Sequence, residues 1–287
     1  MNKIKIIVGA TAVGKTAYAI NYGVNRNVQI ISADSRQIYK GMDIGTAKPN
    51  AKELSLVPHH LIDIILPTEK FSVYDFAEQA NLLVTQIREQ GKEPIIVGGT
   101  GLYINAFINN FTFPNIKTNP EVRAKLRDRL QIEGKIALYK ELQQLDLEVA
   151  QKINPNDTNR IIRALEIIDV SGASHQKLTQ SSCRDDCEIW WLDRDRDFLY
   201  KLIEARVDVM FESGLLDEVE KLIHKGYPDD LPAMQAIGYK EASLYLRGAI
   251  SKTECLASIK KRTRNFALTS GLVFILGKVK LLIKALI

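Results

Sequence analysis

The octapeptide at residues 9–16, Gly-Ala-Thr-Ala-Val-Gly-Lys-Thr, has the spacing of a phosphate-binding loop. It follows an apolar, β-branched run at residues 4–8 and precedes helix-forming residues, which is the strand, loop and helix context that the motif requires. Glycines let several backbone N–H groups point at one anion, and the positive end of the following helix attracts negative charge. We predict that the whole loop binds a phosphate ester through Gly9, Ala10, Thr11, Ala12, Val13, Gly14, Lys15 and Thr16. The Thr16 hydroxyl is also a candidate ligand for Mg²⁺.

Polar side chains follow two other apolar runs. Asp34 comes after residues 28–31, and Thr100 lies in a glycine cluster after residues 93–97. In an open α/β sheet, groups just beyond the carboxyl ends of strands face the ligand crevice, so both residues are expected beside the phosphate loop. Taken alone, Asp34 is either a functional carboxylate or the cap of a turn. The glycine cluster equally fits a ligand contact through Thr100 or a turn required by tight packing.

The hydrophobic periodicity of the sequence predicts the strands and helices that position these residues. Apolar runs alternate with segments of helical spacing, which predicts an α/β fold with a parallel sheet flanked by helices, as in P-loop NTPases. Strands are expected at residues 4–8, 28–31, 61–66, 93–97 and 188–192. Helices are expected at residues 73–90, which Ser72 caps and Gly91 closes, and at 102–108, 198–213, 215–225, 234–247 and from 252 onward.

The composition shifts near residue 113, and from residue 119 to about 171 there are no strand-like runs. We therefore predict a P-loop core at residues 1–112 and 187–267, an inserted helical domain at 113–186, and an atypical tail at 268–287. Basic residues at positions 123, 125, 127 and 129 are more typical of a solvated helix face than of phosphate contact. The polar turn at residues 154–160 is dense in donors that suit a sugar-phosphate backbone.

Several other features have simple interpretations. Among 287 residues, 46% are hydrophobic and 25% charged, and the net charge of +5 permits an anionic partner without requiring one.

The three cysteines are too few for a disulfide framework and are expected as reduced thiols. Lysines interrupt the apolar tail, so we expect no membrane span. Adjacent strand residues point to opposite faces, so His59 and His60 should not share a metal ion.

A lysine, a pair of tryptophans and a basic cluster also give predictions about contacts in the fold. Lys48, in the polar loop at residues 41–49, is within reach of an anion. Trp190 and Trp191 lie in a strand-like run and should belong to the core rather than stack on bases. The basic cluster at residues 260–264 is better suited to phosphates than to burial.

Six segments together closely resemble the bacterial tRNA dimethylallyltransferases. The resemblance extends over residues 3–267, and the segments are residues 9–16, 32–49, 97–103, 156–160, 206–210 and 236–241. The Ser-Ala-Asp-Ser-Arg-Gln stretch around Asp34, with the Gly-Thr-Ala-Lys-Pro stretch that follows it, is far more specific than the phosphate loop, which many unrelated NTPases share. Ala10 stands where the family commonly has proline, which keeps the backbone path plausible.

The resemblance implies transfer of a dimethylallyl group from dimethylallyl diphosphate to N6 of adenosine 37 in tRNAs that read codons beginning with U. It implies Asp34 as the base, Thr100 near the reacting amine, and Lys15 and Arg206 on the diphosphate, with Mg²⁺ as cofactor. It also implies that the inserted domain grips the anticodon stem. Apart from the resemblance, we expect a cytoplasmic protein, a monomer, without membrane association. The implied tRNA contacts are Asp34, Ser35, Arg36, Gln37, Thr100, Arg123, Thr158, Asn159, Arg160, Ile161 and Ile162.

The family pattern stops at Leu268, where a basic Lys-Arg-Gln and an aromatic Trp-Phe would usually follow. If residues 269–274 are encoded by ACG-TCA-GGC-TTG-GTT-TTT, reading one base later gives Arg-Gln-Ala-Trp-Phe. We hypothesise that a one-base insertion near codon 268 shifted the reading frame, in the gene or in its sequencing. Finding the frame intact, with different codons, would refute this. A genuine shift would remove a basic segment that faces tRNA and weaken activity.

Two alternatives belong to other functional classes. The first is a P-loop kinase of a small metabolite, in which Asp34 accepts the proton of an acceptor hydroxyl, and ATP consumption without tRNA would favour it. The second is a tRNA-binding homologue whose catalysis is impaired by the altered tail. It predicts binding that survives Asp34→Asn and no modified base in either case.

Overall fold

The computed structural model describes residues 3–111, 118–172, 182–275 and 283–286, with side chains through Leu268. The chain forms two compact units. The first comprises Met1–Ile108 and Arg184–Ile287, and the second comprises Asn109–Cys183. The boundaries that the composition predicts, 113 and 186, lie within a few residues of these.

The first unit contains a parallel sheet with helices packed on it, so the predicted α/β class is confirmed. The strands are β1 Ile4–Gly9, β2 Val28–Ser32, β3 His59–His60, β4 Glu93–Val97, β5 Cys187–Leu192 and β6 Ile283–Leu286. Their order is β3-β2-β4-β1-β5-β6, and every pairing is parallel. All five residues of β2 are buried. Burial on both faces explains why these strands are continuous apolar runs rather than alternating ones.

The helices of the described chain follow the predicted order with a few shifted ends. They are α1 Lys15–Gly23, α2 Ala51–Leu56, α3 Val73–Glu89, α4 Gly101–Ile108, α5 Pro120–Glu133, α6 Lys135–Leu145, α7 Leu147–Lys152, α8 Thr158–Ser171, α9 Arg196–Glu212, α10 Leu215–His224, α11 Tyr239–Leu246 and α12 Lys252–Ile275. Ser72 caps α3 through a reciprocal capping box with Asp75, as its sequence predicts. Helix α11 begins at Tyr239 rather than at residue 234, because Gly238, at φ 97°, takes a conformation outside the helical region.

The predicted strand at residues 61–66 is wrong. Strand β3 ends at His60, and beyond it a single bridge joins Ile65 to Tyr39. Leu61 and Asp63 have φ values of 60° and 55°, in the left-handed region, which interrupts extended backbone. The two histidines have separate partners, since His59 Nδ1 lies 2.7 Å from the Val57 carbonyl oxygen and His60 Nε2 lies 2.6 Å from Gln29 Oε1. In the described residues no group of three metal-ligating side chains is found.

Two glycines bring strand ends together at the edge of the sheet that carries the polar residues. A Cβ on Gly98 would lie 2.2 Å from the carbonyl oxygen of Ala33, and one on Gly9 would lie 2.3 Å from that of Leu192. Both distances are far below van der Waals contact, so only glycine allows the backbones to approach this closely. The tight-packing interpretation of the glycine cluster at residues 98–101 is therefore correct for Gly98, and it sets Thr100 beside Asp34.

Both tryptophans pack in the core, as the sequence predicts. Trp190 is buried and meets Tyr18 and Tyr22 edge to face, while Trp191 packs partly buried against the core. Cys187 and Cys255 are buried free thiols and Cys183 is an exposed one. Among the helices that the structure describes, none is long and apolar enough to cross a bilayer.

The second unit is a helical domain built from α5 to α8. Its core contains Leu126, Leu138, Leu142, Ile161 and Leu165. Glu166 is fully buried beside this core. Its carboxylate accepts hydrogen bonds from Arg123 Nε, from Arg163 Nη1 and from the backbone N–H of Asn119, at 2.7–2.8 Å. Burial by itself raises the pKa of Glu166, but these three donors lower it below the ordinary value, so the group stays ionised.

Candidate active site

A cavity of about 570 Å³ lies in the first unit, at the carboxyl ends of β1, β2 and β4. Each strand contributes the residues that follow it. At the strand ends the polar lining comes from Thr11 and Lys15 after β1, from Asp34, Ser35 and Arg36 after β2, and from Thr100 after β4. The other polar side chains of the lining are Arg206 on α9, Thr46, Gln235, Arg262 and Thr263. The strand-end rule applied to the sequence thus correctly predicts that Asp34 and Thr100 lie beside the phosphate loop.

The phosphate loop has the backbone that its glycines predict. Gly14, at φ 102°, immediately precedes α1, so the positive end of that helix is directed at the loop. Lys15 Nζ donates hydrogen bonds to the carbonyl oxygens of Gly9, at 3.1 Å, and Ala10, at 2.8 Å. Thr16 lies apart from the main lining, in a neighbouring cavity of about 10 Å³ that Ser32, Gln37 and His59 also line.

Asp34 both caps a turn and lines the cavity, so the two interpretations that its position allowed are compatible. Its Oδ1 accepts hydrogen bonds from the backbone N–H groups of Arg36, at 2.8 Å, and Gln37, at 3.4 Å. Thr100 Oγ1 accepts a hydrogen bond from the N–H of Ser35 at 2.9 Å. The side chain of Thr100 therefore holds the backbone next to Asp34, which gives the carboxylate a fixed position.

The charges in the cavity influence one another. Burial lowers the pKa of Lys15, Asp34 opposes this shift and Arg206 adds to it, and the net pKa is about 8. Burial likewise lowers the pKa of Arg206, and Asp34 again acts in the opposite direction. Two desolvated cations next to one carboxylate form a site that favours an additional anion, because an anion compensates the desolvation of both cations.

We expect the affinity of the cavity for a diphosphate monoester to fall as the pH rises above about 8. The folded-state pKa of Lys15 is lowered, so the ammonium is charged below that value and becomes neutral above it. Loss of one unit charge should raise Kd by about 10-fold between pH 7 and pH 9.5. The test is calorimetric titration with a monoester whose own charge is constant in this range, with Lys15→Ala as control. A constant Kd in the unmodified chain would contradict the prediction, and the variant should show a flat profile.

The rest of the lining is largely apolar. It includes Leu102 on α4, Val207 and Met210 on α9, and Ile259 and Phe266 on α12. A cavity that combines cations, a carboxylate and apolar side chains suits a ligand with a charged head and a hydrocarbon group.

In the structure, Gln37 and Lys48 do not make the ligand contacts that the sequence predicts. Gln37 is buried, and its Nε2 donates to the carbonyl oxygens of Thr46 and Ala47, so its amide is not available to an RNA ligand. Lys48 does not serve a free anion, since its ammonium pairs with Asp43 and Asp63.

Three of the four basic residues in the cluster on α12 pair with carboxylates, and the fourth, Lys261, is exposed. Lys260 pairs with Asp208, Arg262 with Glu241, and Arg264 with Glu204. Arg262 nevertheless lines the cavity. Its guanidinium is therefore both an internal ion-pair partner and part of the cavity wall.

The predicted tRNA contacts of the second unit divide into two groups. Ile161 and Ile162 are buried in its core, so their side chains cannot reach a ligand, and Arg123 is engaged with Glu166. Residues 158–160 begin α8, and the exposed Arg160 lies 3.2 Å from Asp157. The exposed start of α8 is the part of the prediction that remains available to a nucleic acid.

The sequence reasoning missed two groups of residues. Residues 235–238 line the cavity although they were assigned to a helix. Glu218 on α10 binds the loop at residues 43–45 from a position more than 170 residues later in the chain. Nothing in the local spacing around Glu218 indicates this contact.

The fold and the cavity define a P-loop α/β protein that carries a carboxylate next to its phosphate loop. The family model described as IPP transferase matches residues 37–268. The chain belongs to this family.

Known relatives agree with the assignment. A tRNA dimethylallyltransferase of Thermoanaerobacter sp. (strain X514) is 43% identical over 271 residues, which cover 92% of this chain and 86% of that protein. A tRNA isopentenylpyrophosphate transferase from Bacillus halodurans, known from a crystal structure, is 41% identical in sequence and has a TM-score of 0.71. The match covers 99% of this chain and 90% of that one. A eukaryotic dimethylallyltransferase, solved acting on tRNA, is 27% identical, with a TM-score of 0.81 and coverage of 99% and 74%.

Proposed function

We propose that the protein transfers a dimethylallyl group from dimethylallyl diphosphate to N6 of adenosine 37 in tRNAs that read codons beginning with U. The observation that carries the proposal is the presence of Asp34, Lys15 and Arg206 in one cavity of a chain that belongs to the IPP transferase family. The apolar lining suits the hydrocarbon group, and the two cations suit the diphosphate.

The reaction breaks the C–O bond to the diphosphate and forms a C–N bond to the adenine amine. As the C–O bond lengthens, positive charge develops on the allyl group and negative charge on the leaving diphosphate. Lys15 and Arg206, together with the N–H groups of the phosphate loop, would stabilise that negative charge. The amine lone pair is delocalised into the ring, so loss of its proton must accompany bond formation, and Asp34 would accept this proton. Thr100 holds the backbone beside Asp34 and would place the carboxylate at the amine.

Mg²⁺ is part of the proposal. It prefers oxygen ligands, and in phosphate sites it takes few of them from the protein and the rest from phosphate and water. The Thr16 hydroxyl at the start of α1 would be such a ligand, and the Ser32 hydroxyl lies in the same small cavity. A bound Mg²⁺ would share the neutralisation of the diphosphate.

The tRNA would be bound by both units. To reach Asp34, adenosine 37 must leave its stack in the anticodon loop. Ser35 and Arg36 line the cavity and are proposed to contact the nucleotide there, while the exposed residues Asn159 and Arg160 would contact the anticodon stem. We further propose that the enzyme acts as a monomer in the cytoplasm, where tRNA is found.

The proposal is tested by mass spectrometry of nucleosides from unmodified tRNA, incubated with the purified chain, Mg²⁺ and dimethylallyl diphosphate. We expect N6-(dimethylallyl)adenosine among the nucleosides, and its loss in Asp34→Asn. Bound tRNA without product would point to the altered tail at residues 268–287 as the lesion. ATP turnover without tRNA binding would refute the proposal in favour of a kinase.

A further inference from the structure

Glu218, on α10, holds a loop that forms one wall of the cavity. Its Oε2 accepts hydrogen bonds from the backbone N–H groups of Asp43 and Ile44, at 2.9 and 2.8 Å. Its Oε1 accepts one from the N–H of Gly45, at 3.2 Å, and Gly45 lines the cavity. Hydrogen bonds to an ionised acceptor are stronger than those to a neutral one. One side chain thus fixes three consecutive residues of a segment that has no helix or strand.

Tyr239 completes this attachment. Its hydroxyl donates a hydrogen bond of 2.6 Å to Glu218 Oε1, and its ring is fully buried. A Cβ on Gly45 would lie 2.5 Å from the ring, so the loop and the phenol are in direct contact. Burial raises the pKa of Tyr239, which keeps the hydroxyl protonated as a donor. Residues 236–238, which immediately precede Tyr239, also line the cavity. The Glu218–Tyr239 pair therefore joins two of its walls.

The same loop is connected to Asp34. Gln37 Nε2 donates to the carbonyl oxygens of Thr46 and Ala47, at 3.3 and 3.2 Å. The backbone N–H of Gln37 donates to Asp34 Oδ1 at 3.4 Å. A continuous set of bonds thus runs from Glu218 through residues 43–47 and Gln37 to Asp34.

We propose that Glu218 and Tyr239 are positioning residues for the transfer reaction, holding residues 43–47 so that Gln37 keeps Asp34 at the reacting amine. This inference rests on the proposed function. Neither side chain is among the described residues that line the cavity, so both act through the loop. A misplacement of about 1 Å at the reacting groups lowers a rate by about 10²-fold. The phosphate loop has its own supports, so binding of the diphosphate should change little.

Two conservative variants test the inference. Glu218→Gln keeps the size of the side chain but places an NH₂ group against backbone N–H donors, and Tyr239→Phe removes the hydroxyl alone. We expect Glu218→Gln to lower kcat by about 10²-fold and Tyr239→Phe by about 10-fold, with KM for dimethylallyl diphosphate within about threefold of the unmodified enzyme. Glu220→Gln, an exposed change on the same helix, is the matched control and should leave kcat and Tm unchanged. A kcat for Glu218→Gln as high as that of the control variant would overturn the inference.

A double variant separates positioning from a general loss of structure. With Asp34 changed to Asn, Glu218→Gln should lower the residual rate by less than about twofold, because no base remains to be positioned. If the double variant instead showed the product of the two single losses of kcat, the inference would be overturned. Hydrogen exchange of the substrate-free Glu218→Gln variant should be faster at residues 34–38 as well as at 43–47, whereas unchanged exchange at 34–38 would refute the connection. Failure of the unmodified chain to make product would count against the proposed function, and the exchange result would still decide the connection.

Discussion

Replacing Asp34 with asparagine is expected to lower kcat for transfer to tRNA by about 10³-fold, the scale of a lost general base. The asparagine oxygen can still accept the hydrogen bonds that the N–H groups of Arg36 and Gln37 donate to Asp34 Oδ1. The turn should therefore persist, and the variant should retain the Tm of the unmodified protein. What it loses is the ability to accept the proton of the amine.

Single-turnover measurements with saturating substrates test this expectation directly. Asp230→Asn, a change at an exposed aspartate that is not part of the cavity lining, serves as the control and should transfer at the normal rate. A kcat within 10-fold of normal in Asp34→Asn would show that the carboxylate only caps the turn. The experiment thus decides whether Asp34 has one role or both.

The same variant should bind the diphosphate at least as well as the unmodified enzyme. Asp34 is the negative charge that raises the pKa of both Lys15 and Arg206, so it also competes with an anionic ligand for them. Without it, the pKa of Lys15 falls below about 8, and the loss of affinity with rising pH should begin at lower pH. A lower kcat together with an unchanged or lower Kd at pH 7 is the combination that a base, rather than a binding group, produces.

Local sequence predicted the parts of the site that are built by consecutive residues. Strand β4 has the bounds that its apolar run gives, because a run buried on both faces ends where polar or glycine residues begin. The positions of Asp34 and Thr100 follow from the same rule, since parallel strands bring their carboxyl ends to one edge of the sheet.

Contacts between distant segments could not be predicted in this way. The run at residues 61–66 is as apolar as a strand, but its backbone is left-handed at Leu61 and Asp63. The N–H groups of Asp63 and Ile64 donate to the carbonyl oxygens of residues 37 and 38, more than 20 residues earlier in the chain. The basic cluster on α12 lies opposite Glu204, Asp208 and Glu241, which are 21 to 60 residues away in sequence. The order of charged residues along the chain does not show which of them face each other in the fold. The sequence therefore predicted phosphate as the partner of this cluster, whereas in the structure three of its basic side chains pair with carboxylates.

Lys15→Ala is expected to lower kcat/KM for dimethylallyl diphosphate by about 10³-fold, with both a higher Kd and a lower kcat. In the substrate-free protein the ammonium donates to the carbonyl oxygens of Gly9 and Ala10, at the edge of the cavity. The diphosphate is a stronger acceptor than a carbonyl, and its charge grows as the C–O bond breaks, so the ammonium should contribute more in the transition state than in the ground state.

Two variants separate this role of Lys15 from a general effect of charge. Lys201→Ala removes an exposed lysine from α9 and should leave both constants within about twofold, since exposed charges at a distance are screened by salt. Lys15→Arg keeps the charge on a larger, planar group and should recover binding more than kcat, because the phosphate loop closes around a point charge. Asp34→Asn should leave Kd intact where Lys15→Ala does not. Equal changes of Kd in these two variants would mean that the cavity does not divide into a base and a diphosphate site, and the proposed chemistry would then lose its physical basis.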